Sequence, residues 1–431
     1  MANGIADILQ LQPFRVRVLN TSNQDRVLPK GMVLGHALPH PKEIVNLVSE
    51  ESPPVADRPD VDGDTWKDDV DLTHLPSEKR DAIYQLLGKH RHMWDGRLGR
   101  VHATEHRIDL NPGSKPVHAQ PYRAGPRARE METQEVYRML KAGVIEPAST
   151  EWASPVVLVP KPDGTMRFCV DYRKLNEMTI RDTYPLPRMD ECIDSLGNAR
   201  IFSTLDCNCG YWQIPLATGD TDKTTFTCHE GTYRFLRMPF GLRNAPATFQ
   251  RTVDIVLSGL KWKTCLVYLD DIIVFSNTEY DHFRHLEEVL SLLYGAGLSL
   301  KLTKCHFFKD TVDYLGHVIR PGKLEVAVKN TEALRNARPP VNQTELRSFL
   351  GLCNVYRRFV PGFAKIAAPL NTLLKKGESP NIGEFSTDQL GAFNALREKL
   401  LHPPVLALPR ADGRYILDTD ASAEQIGCCL L

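Results

Sequence analysis

The stretch LVYLDDIIVFS, Leu266–Ser276, sets two adjacent aspartates between two apolar runs rich in β-branched and aromatic residues. As one continuous strand it would send Asp270 and Asp271 to opposite faces, because strand side chains alternate with period two. One carboxylate would then enter a core lined by both flanking runs, which is costly unless it is paired or bound to metal. A hairpin is cheaper: Leu266–Leu269 and Ile272–Phe275 become short antiparallel strands, with both aspartates at the bend. Asp is an ordinary turn residue, so a plain surface turn is the simplest alternative. Two features weigh against it. The bend has no Gly or Asn to take up positive φ, and two like charges side by side repel unless a divalent cation relieves them.

A third carboxylate extends the metal reading. IFSTLD, Ile201–Asp206, has the same apolar strand character and also ends in an aspartate, at what should be a comparable sheet edge. Aspartates that hold two divalent ions roughly 3.5–4 Å apart form a clamp for the attacking and leaving oxygens of a phosphate. Mg²⁺ suits such a site, because it takes a few carboxylates and completes its octahedron with water and substrate phosphates.

The remaining composition sets bounds. The 431 residues allow two to four domains, and 42% hydrophobic content is enough for substantial cores. With 53 basic and 53 acidic residues, net charge gives no whole-chain argument for nucleic acid, so any such claim rests on local clusters. The ten cysteines are scattered without zinc-knuckle spacing, which points to a reducing, intracellular setting. The start, MANGIADILQLQPF, lacks the pattern of a signal peptide, and no apolar run is long enough to span a membrane.

Along the chain, residues 11–40 alternate like short strands, and Glu43–Asp71 is acidic and Pro-rich like a linker. PSEKRDAIYQLLGKHRHMW reads as a helix, as does Arg129–Pro147 with a stop at Gly143. Val156–Val159 and Met166–Asp171 should form a hairpin around KPDG. NAPATFQRTVDIVLSGL has helical spacing with Asn244 as its cap and Pro246 in the first turn, and EYDHFRHLEEVLSLLYGAGL is a helix ended by Gly295 or Gly297. Helices mixed with short antiparallel strands make an α+β pattern.

YLDD, together with STLDCNCGYWQIPLA, RFLRMPFGLRNAPATFQ and VLVPKPDGTMRFCVDYRKLN, resembles the reverse transcriptases of gypsy-class long-terminal-repeat retrotransposons. KCHFFKDTVDYLGHVI, ELRSFLGLCNVYRRFVPGFAKIAAPLNTLLKK and YILDTDAS are similar to that family's thumb, connection and ribonuclease H start, in the same order. The likeness spans about Thr104–Leu431. It implies a right-hand polymerase whose palm carries an antiparallel sheet. The implied divisions are a β-rich tether (1–42), an acidic linker and helix (43–103), fingers and palm (104–317), a thumb-like part (318–360), a connection (361–410) and a truncated ribonuclease H start (411–431).

By position, the resemblance makes Asp206, Asp270 and Asp271 the catalytic, metal-binding carboxylates, with two Mg²⁺ ions for which Mn²⁺ can substitute. It places Lys161 and Arg167 on the triphosphate, Tyr211 under the incoming sugar as a barrier to a 2′-hydroxyl, and Phe240 beside the nucleotide. Leu315, Gly316 and His317 fall in the primer grip, and Asp420 matches the first ribonuclease H carboxylate. The implied partners are an RNA or DNA template with its primer, deoxynucleoside triphosphates (dNTPs), and either a second copy or other Pol products, with no membrane. The implied location is intracellular, in a cytoplasmic particle and the nucleus. Arg335, Arg338, Arg347, Arg357, Arg358, Lys365, Lys375 and Lys376, with Tyr356 and Phe359 among them, form a basic cluster suited to phosphate contacts.

There are departures from the family. Cys207 and Cys209 replace an aliphatic and a small hydroxyl residue, which opens a route to oxidative inhibition. Asp420 stands without the other acids of a ribonuclease H site, so that activity is not expected here. The alternatives to an RNA- and DNA-directed DNA polymerase are a co-opted remnant that binds nucleic acid without polymerising, and a palm-like nucleotidyl cyclase. The cyclase would have no use for the thumb-like and primer-grip segments.

Overall fold

In the computed structural model the two apolar runs around the aspartates form the strands Cys265–Tyr268 and Asp271–Ser276. They pair antiparallel with Tyr268 opposite Asp271, so the bend is the two-residue loop Leu269–Asp270. This shifts the expected turn by one residue: Asp271 starts the second strand, and only Asp270 lies in the loop. The positive φ that the composition lacks a residue for is taken by Leu269, at 53°. A left-handed non-glycine residue costs on the order of 1–2 kcal/mol.

Residues 64–160, 166–327, 332, 334–409, 417–421 and 426–430 are described, all within the compact unit Glu51–Leu431. The tether, most of the acidic stretch and Lys161 lie outside them.

The hairpin belongs to a four-stranded sheet in the order Cys265–Tyr268, Asp271–Ser276, Ile201–Asp206, His306–Lys309. Val267, Ile272 and Val274 enter a core shared with Phe249 and Val253 of the helix Ala245–Val256. Leu266 and Ile273 enter a second core with Ile319, Leu324 and Phe349. All five hairpin residues are at most 1% exposed. Covered faces on both sides explain why these strands read as unbroken apolar runs rather than alternating ones. Burying each side chain contributes roughly 1.5–3 kcal/mol.

A five-stranded sheet, ordered Ile145–Pro147, Gly231–Phe235, Phe226–Cys228, Ser154–Pro160, Met166–Val170, carries the second expected hairpin. It contains one parallel pair, Ser154–Pro160 with Phe226–Cys228. A further sheet joins Val312–Tyr314, His317–Arg320, Lys323–Val326 and Leu406–Ala407, and Leu417–Ala421 pairs with Ile426–Leu430. The fold is α+β.

The helix read as Arg129–Pro147 starts earlier, with Pro126 in its first turn, and ends at Lys141. Gly143, at φ 62°, reverses the chain, and Ile145–Pro147 becomes an edge strand. The helix Ser77–Gly88 gives way to a separate 3₁₀ turn at Arg91–Trp94. Asn244 stands at the N-cap of Ala245–Val256 but makes no capping bond. Its amide instead ties down the chain at Ile180 and Asp182. Among the described residues no helix is long and apolar enough to cross a membrane.

His106 is 1% exposed with its Nδ1 2.8 Å from Thr248 Oγ1, and burial pushes its pKa down to about 4. The unfolded chain therefore binds more protons as pH falls from about 6.5 to 4, so stability falls through that window, by about 3 kcal/mol at pH 4 from this group alone. Urea melts at pH 7 and pH 4 should show this loss in the parent and a correspondingly smaller one in His106→Gln.

Candidate active site

Asp206 and Asp271 are direct partners across the antiparallel pair Ile201–Asp206 and Asp271–Ser276. Directly opposed residues share a face, with Cβ atoms roughly 4.5–5.5 Å apart, and like charges there destabilise the pair. Asp270 reaches the same place from the loop. Its Oδ1 is buried and has no hydrogen-bond partner. Burial, then Asp271 and Asp206, push its pKa up to about 6. The strongly apolar sheet thus ends in three mutually repelling carboxylates.

A cation fits that arrangement. The orphaned Asp270 oxygen lacks a donor, and carboxylates completed by water suit a hard divalent ion. Among the described residues, however, no three acidic, His or Cys side chains converge in closed metal-holding geometry. Asp206 is drawn instead to Lys304, whose Nζ lies 3.3 Å from Oδ2 and 3.5 Å from Oδ1. Lys304 is 57% exposed, so this is a loose pair that a stronger cation can displace.

The loop after Asp206 packs against this cluster. Cys209 takes φ 51° and starts the 3₁₀ turn Gly210–Gln213. A Cβ on Gly210 would lie 2.8 Å from the Phe249 ring and 3.2 Å from Asp270 Oδ1, so only glycine allows the close approach. Tyr211 is 9% exposed, stacked on Phe240 with centroids 5.0 Å apart and tilted on Phe249 at 5.5 Å. Burial and the Asp270 charge push its phenol up to about 12. Phe240 is 47% exposed and is the ring that meets solvent. Cys207 is buried, and its thiol is held well above its ordinary pKa by that burial. The protonated thiol is a poor nucleophile, which counters the expected oxidation at this position.

Residues 159–319 match the family model described as "Reverse transcriptase (RNA-dependent DNA polymerase)", and residues 385–431 match "RNase H-like domain found in reverse transcriptase". The retrovirus-related Pol polyprotein from transposon 297 of Drosophila melanogaster is 37% identical, over 83% of this chain and 34% of its own length. That from transposon gypsy of the same organism is 38% identical, over 77% of this chain and 33% of its own. The chain carries a reverse transcriptase domain and is similar to the Pol polyproteins of gypsy-class elements. It spans about a third of the length of these relatives. The foamy viral protease-reverse transcriptase, solved in complex with an RNA/DNA hybrid, superposes with a TM-score of 0.71 at 25% identity, over 83% of this chain and 48% of that one. Reverse transcriptases as a family use divalent metal.

The structure brings Asp206, Asp270, Asp271, Tyr211 and Phe240 together. Arg167 lies apart from them, exposed on the five-stranded sheet opposite Val159. In the primer-grip segment, Leu315 and Gly316 form a two-residue loop at φ 48° and 80°, with Tyr314 opposite His317. The His317 side chain points inward. It is 2% exposed, packed on Tyr356 and Phe359, and its pKa is lowered by burial. Any grip on a primer at this loop therefore comes from its backbone and not from the imidazole. Tyr356 and Phe359 are likewise core residues, at 2% and 0% exposure, not stacking platforms among the basic side chains. Arg358 is engaged by Asp194 at 2.9 Å. Asp420 lies on the strand Leu417–Ala421, opposite Gly427.

Gln250 was not singled out from the sequence, yet it is fully buried and bonded to the hairpin that carries Asp270 and Asp271. The signal was present: an amide three residues before Val253, on the core face of its helix, must find partners.

Gly210→Ala should force the Phe249 ring and the Asp270 carboxylate apart. Primer extension is expected to fall by tenfold or more, on the order of the 1–3 kcal/mol typical of overpacking. Circular dichroism should show unchanged secondary structure.

Proposed function

We propose that this chain extends a primer with dNTPs on an RNA or DNA template, with Mg²⁺ as its metal. The observation that carries this reading is the convergence of Asp206, Asp270 and Asp271 at one end of a doubly buried sheet, with the Asp270 oxygen left unpartnered. Those three carboxylates would hold two Mg²⁺ ions, supplying Lewis acidity at the primer 3′-hydroxyl and α-phosphate and charge for the departing pyrophosphate.

The chain's own residues do the positioning. The sheet fixes Asp206 and Asp271 in register, and Gly210 lets the following loop close on Asp270. Tyr211, rigid between Phe240 and Phe249, closes the space a 2′-hydroxyl would need. Phe240 supplies an exposed face for the sugar or base. Arg167 and Lys161 would hold the triphosphate, the first as a guanidinium fork and the second as a point charge. Leu315 and Gly316 hold the primer terminus through the backbone. The basic cluster of residues 335–376 grips phosphates without reading sequence. The foamy viral relative bound to an RNA/DNA hybrid supports a hybrid duplex as substrate. The six-part division and a location with the element's RNA in cytoplasm and nucleus belong to the same reading.

The Lys304–Asp206 pair favours a second reading, a remnant that binds nucleic acid with its metal site closed by a lysine. Primer extension on an RNA template separates the two. The parent should extend with Mg²⁺, and Asp270→Asn/Asp271→Asn, at equal fold content, should lose about a thousandfold or more. A folded parent that binds primer–template tightly without extending it establishes the remnant. In an active parent, Tyr211→Ala should admit ribonucleotides, seen as extension by rNTPs alone.

A further inference from the structure

We propose that Gln250 is a positioning residue whose side-chain amide holds the Leu269–Asp270 bend in its left-handed form and thereby sets the carboxylates of Asp270 and Asp271. The inference rests on the polymerase reading of that site.

Within the hairpin Cys265–Ser276, Leu269 alone sits at positive φ, and nothing in its own chemistry favours that state. Its N–H donates to Gln250 Oε1 at 2.7 Å. Gln250 Nε2 donates to Val267 O at 3.1 Å, on the incoming strand, and to Asp254 Oδ1 at 2.9 Å, one helical turn away. The amide therefore spans the incoming strand and the bend it feeds. Its orientation is dictated by its partners, since a carbonyl and a carboxylate can only accept and the Leu269 N–H can only donate.

Asp254 is itself held. Its Oδ2 accepts from Tyr184 Oη at 2.8 Å and its Oδ1 lies 2.6 Å from Lys261 Nζ. A relay thus runs from the C-terminal turn of the helix Ala245–Val256 through a fully buried amide to Leu269, the residue before Asp270. The apolar core fixes the two strands, but it makes no demand on the φ of Leu269. The amide supplies that demand, and without it the bend is free to relax and carry Asp270 away from Asp206.

Gln250→Met keeps the side chain's length and removes all three bonds. It is expected to lower primer extension roughly 5–30-fold, the equilibrium shift that corresponds to releasing one left-handed residue. The half-saturating Mg²⁺ concentration should rise, while primer–template affinity stays at the parent value. Adding Leu269→Gly, which adopts positive φ without strain, should restore extension to within about threefold of the parent. Asp254→Asn, which alters only the anchor of the amide, should shift the Mg²⁺ requirement in the same direction by less. The inference is overturned if Leu269→Gly gives no rescue, or if Gln250→Met loses activity with an unchanged Mg²⁺ requirement.

Mn²⁺ binding followed by electron paramagnetic resonance on the same proteins separates this from failure of the polymerase reading. A parent that binds Mn²⁺ but extends nothing sinks that reading, while the order of Mn²⁺ affinities, with the double variant above Gln250→Met, still decides the clamp. A parent that does neither overturns both.

Discussion

Three carboxylates that repel one another stand at the end of a sheet whose two faces are both buried, and the rest of the molecule is arranged around that conflict. Apolar packing on both sides holds Asp206 opposite Asp271, and neither can move away without disturbing strands that are almost wholly excluded from water. Burial first, and then the repulsion of Asp271 and Asp206, raise the Asp270 pKa to about 6. Such a site is costly in the absence of positive charge, which is the kind of local strain that accompanies ligand sites.

The immediate surroundings are built to keep that geometry. A glycine admits the Phe249 ring, a stack of two aromatics stiffens the loop that follows Asp206, and a buried amide grips the bend that carries Asp270. Each is a short-range device with little tolerance for change of shape. The charged partners behave differently. Lys304 and the basic residues between 335 and 376 are exposed, and ion pairs at such positions are weakly held. Rigidity is thus concentrated at the carboxylates and compliance at the exposed charged surface.

Much of this was legible in the chain, because apolar period and turn chemistry are local signals. The unbroken runs flanking Asp270 and Asp271 required strands covered on both sides, and Gly143, Gly295 and Gly297 marked helix ends where the structure has them. The misreadings share a cause. Ile145–Pro147, past the stop at Gly143, was given no strand, yet it is claimed as an edge strand by Gly231–Phe235. Asn244 looked like a cap, yet a neighbouring segment competed for its amide. His317, Tyr356 and Phe359 looked available for nucleic acid and are packed on one another instead. In each case a partner distant in sequence outbid the local preference, and no window of neighbouring residues contains it.

The sequence by itself determined the α+β class, the strands that carry the aspartates and, through the order of its motifs, the likeness to gypsy-class Pol polyproteins. These follow from side-chain chemistry and from periodicities that the backbone imposes on any chain. Only the tertiary structure decided the rest: that Asp271 opens a strand while Asp270 sits in the loop, that Leu269 takes the strained φ, that Gln250 holds it there, and that Phe240 rather than Tyr211 faces solvent. Register and strain are settled by which cores the two faces must fill, and a shift of a single residue would turn every buried side chain of the hairpin to the opposite face.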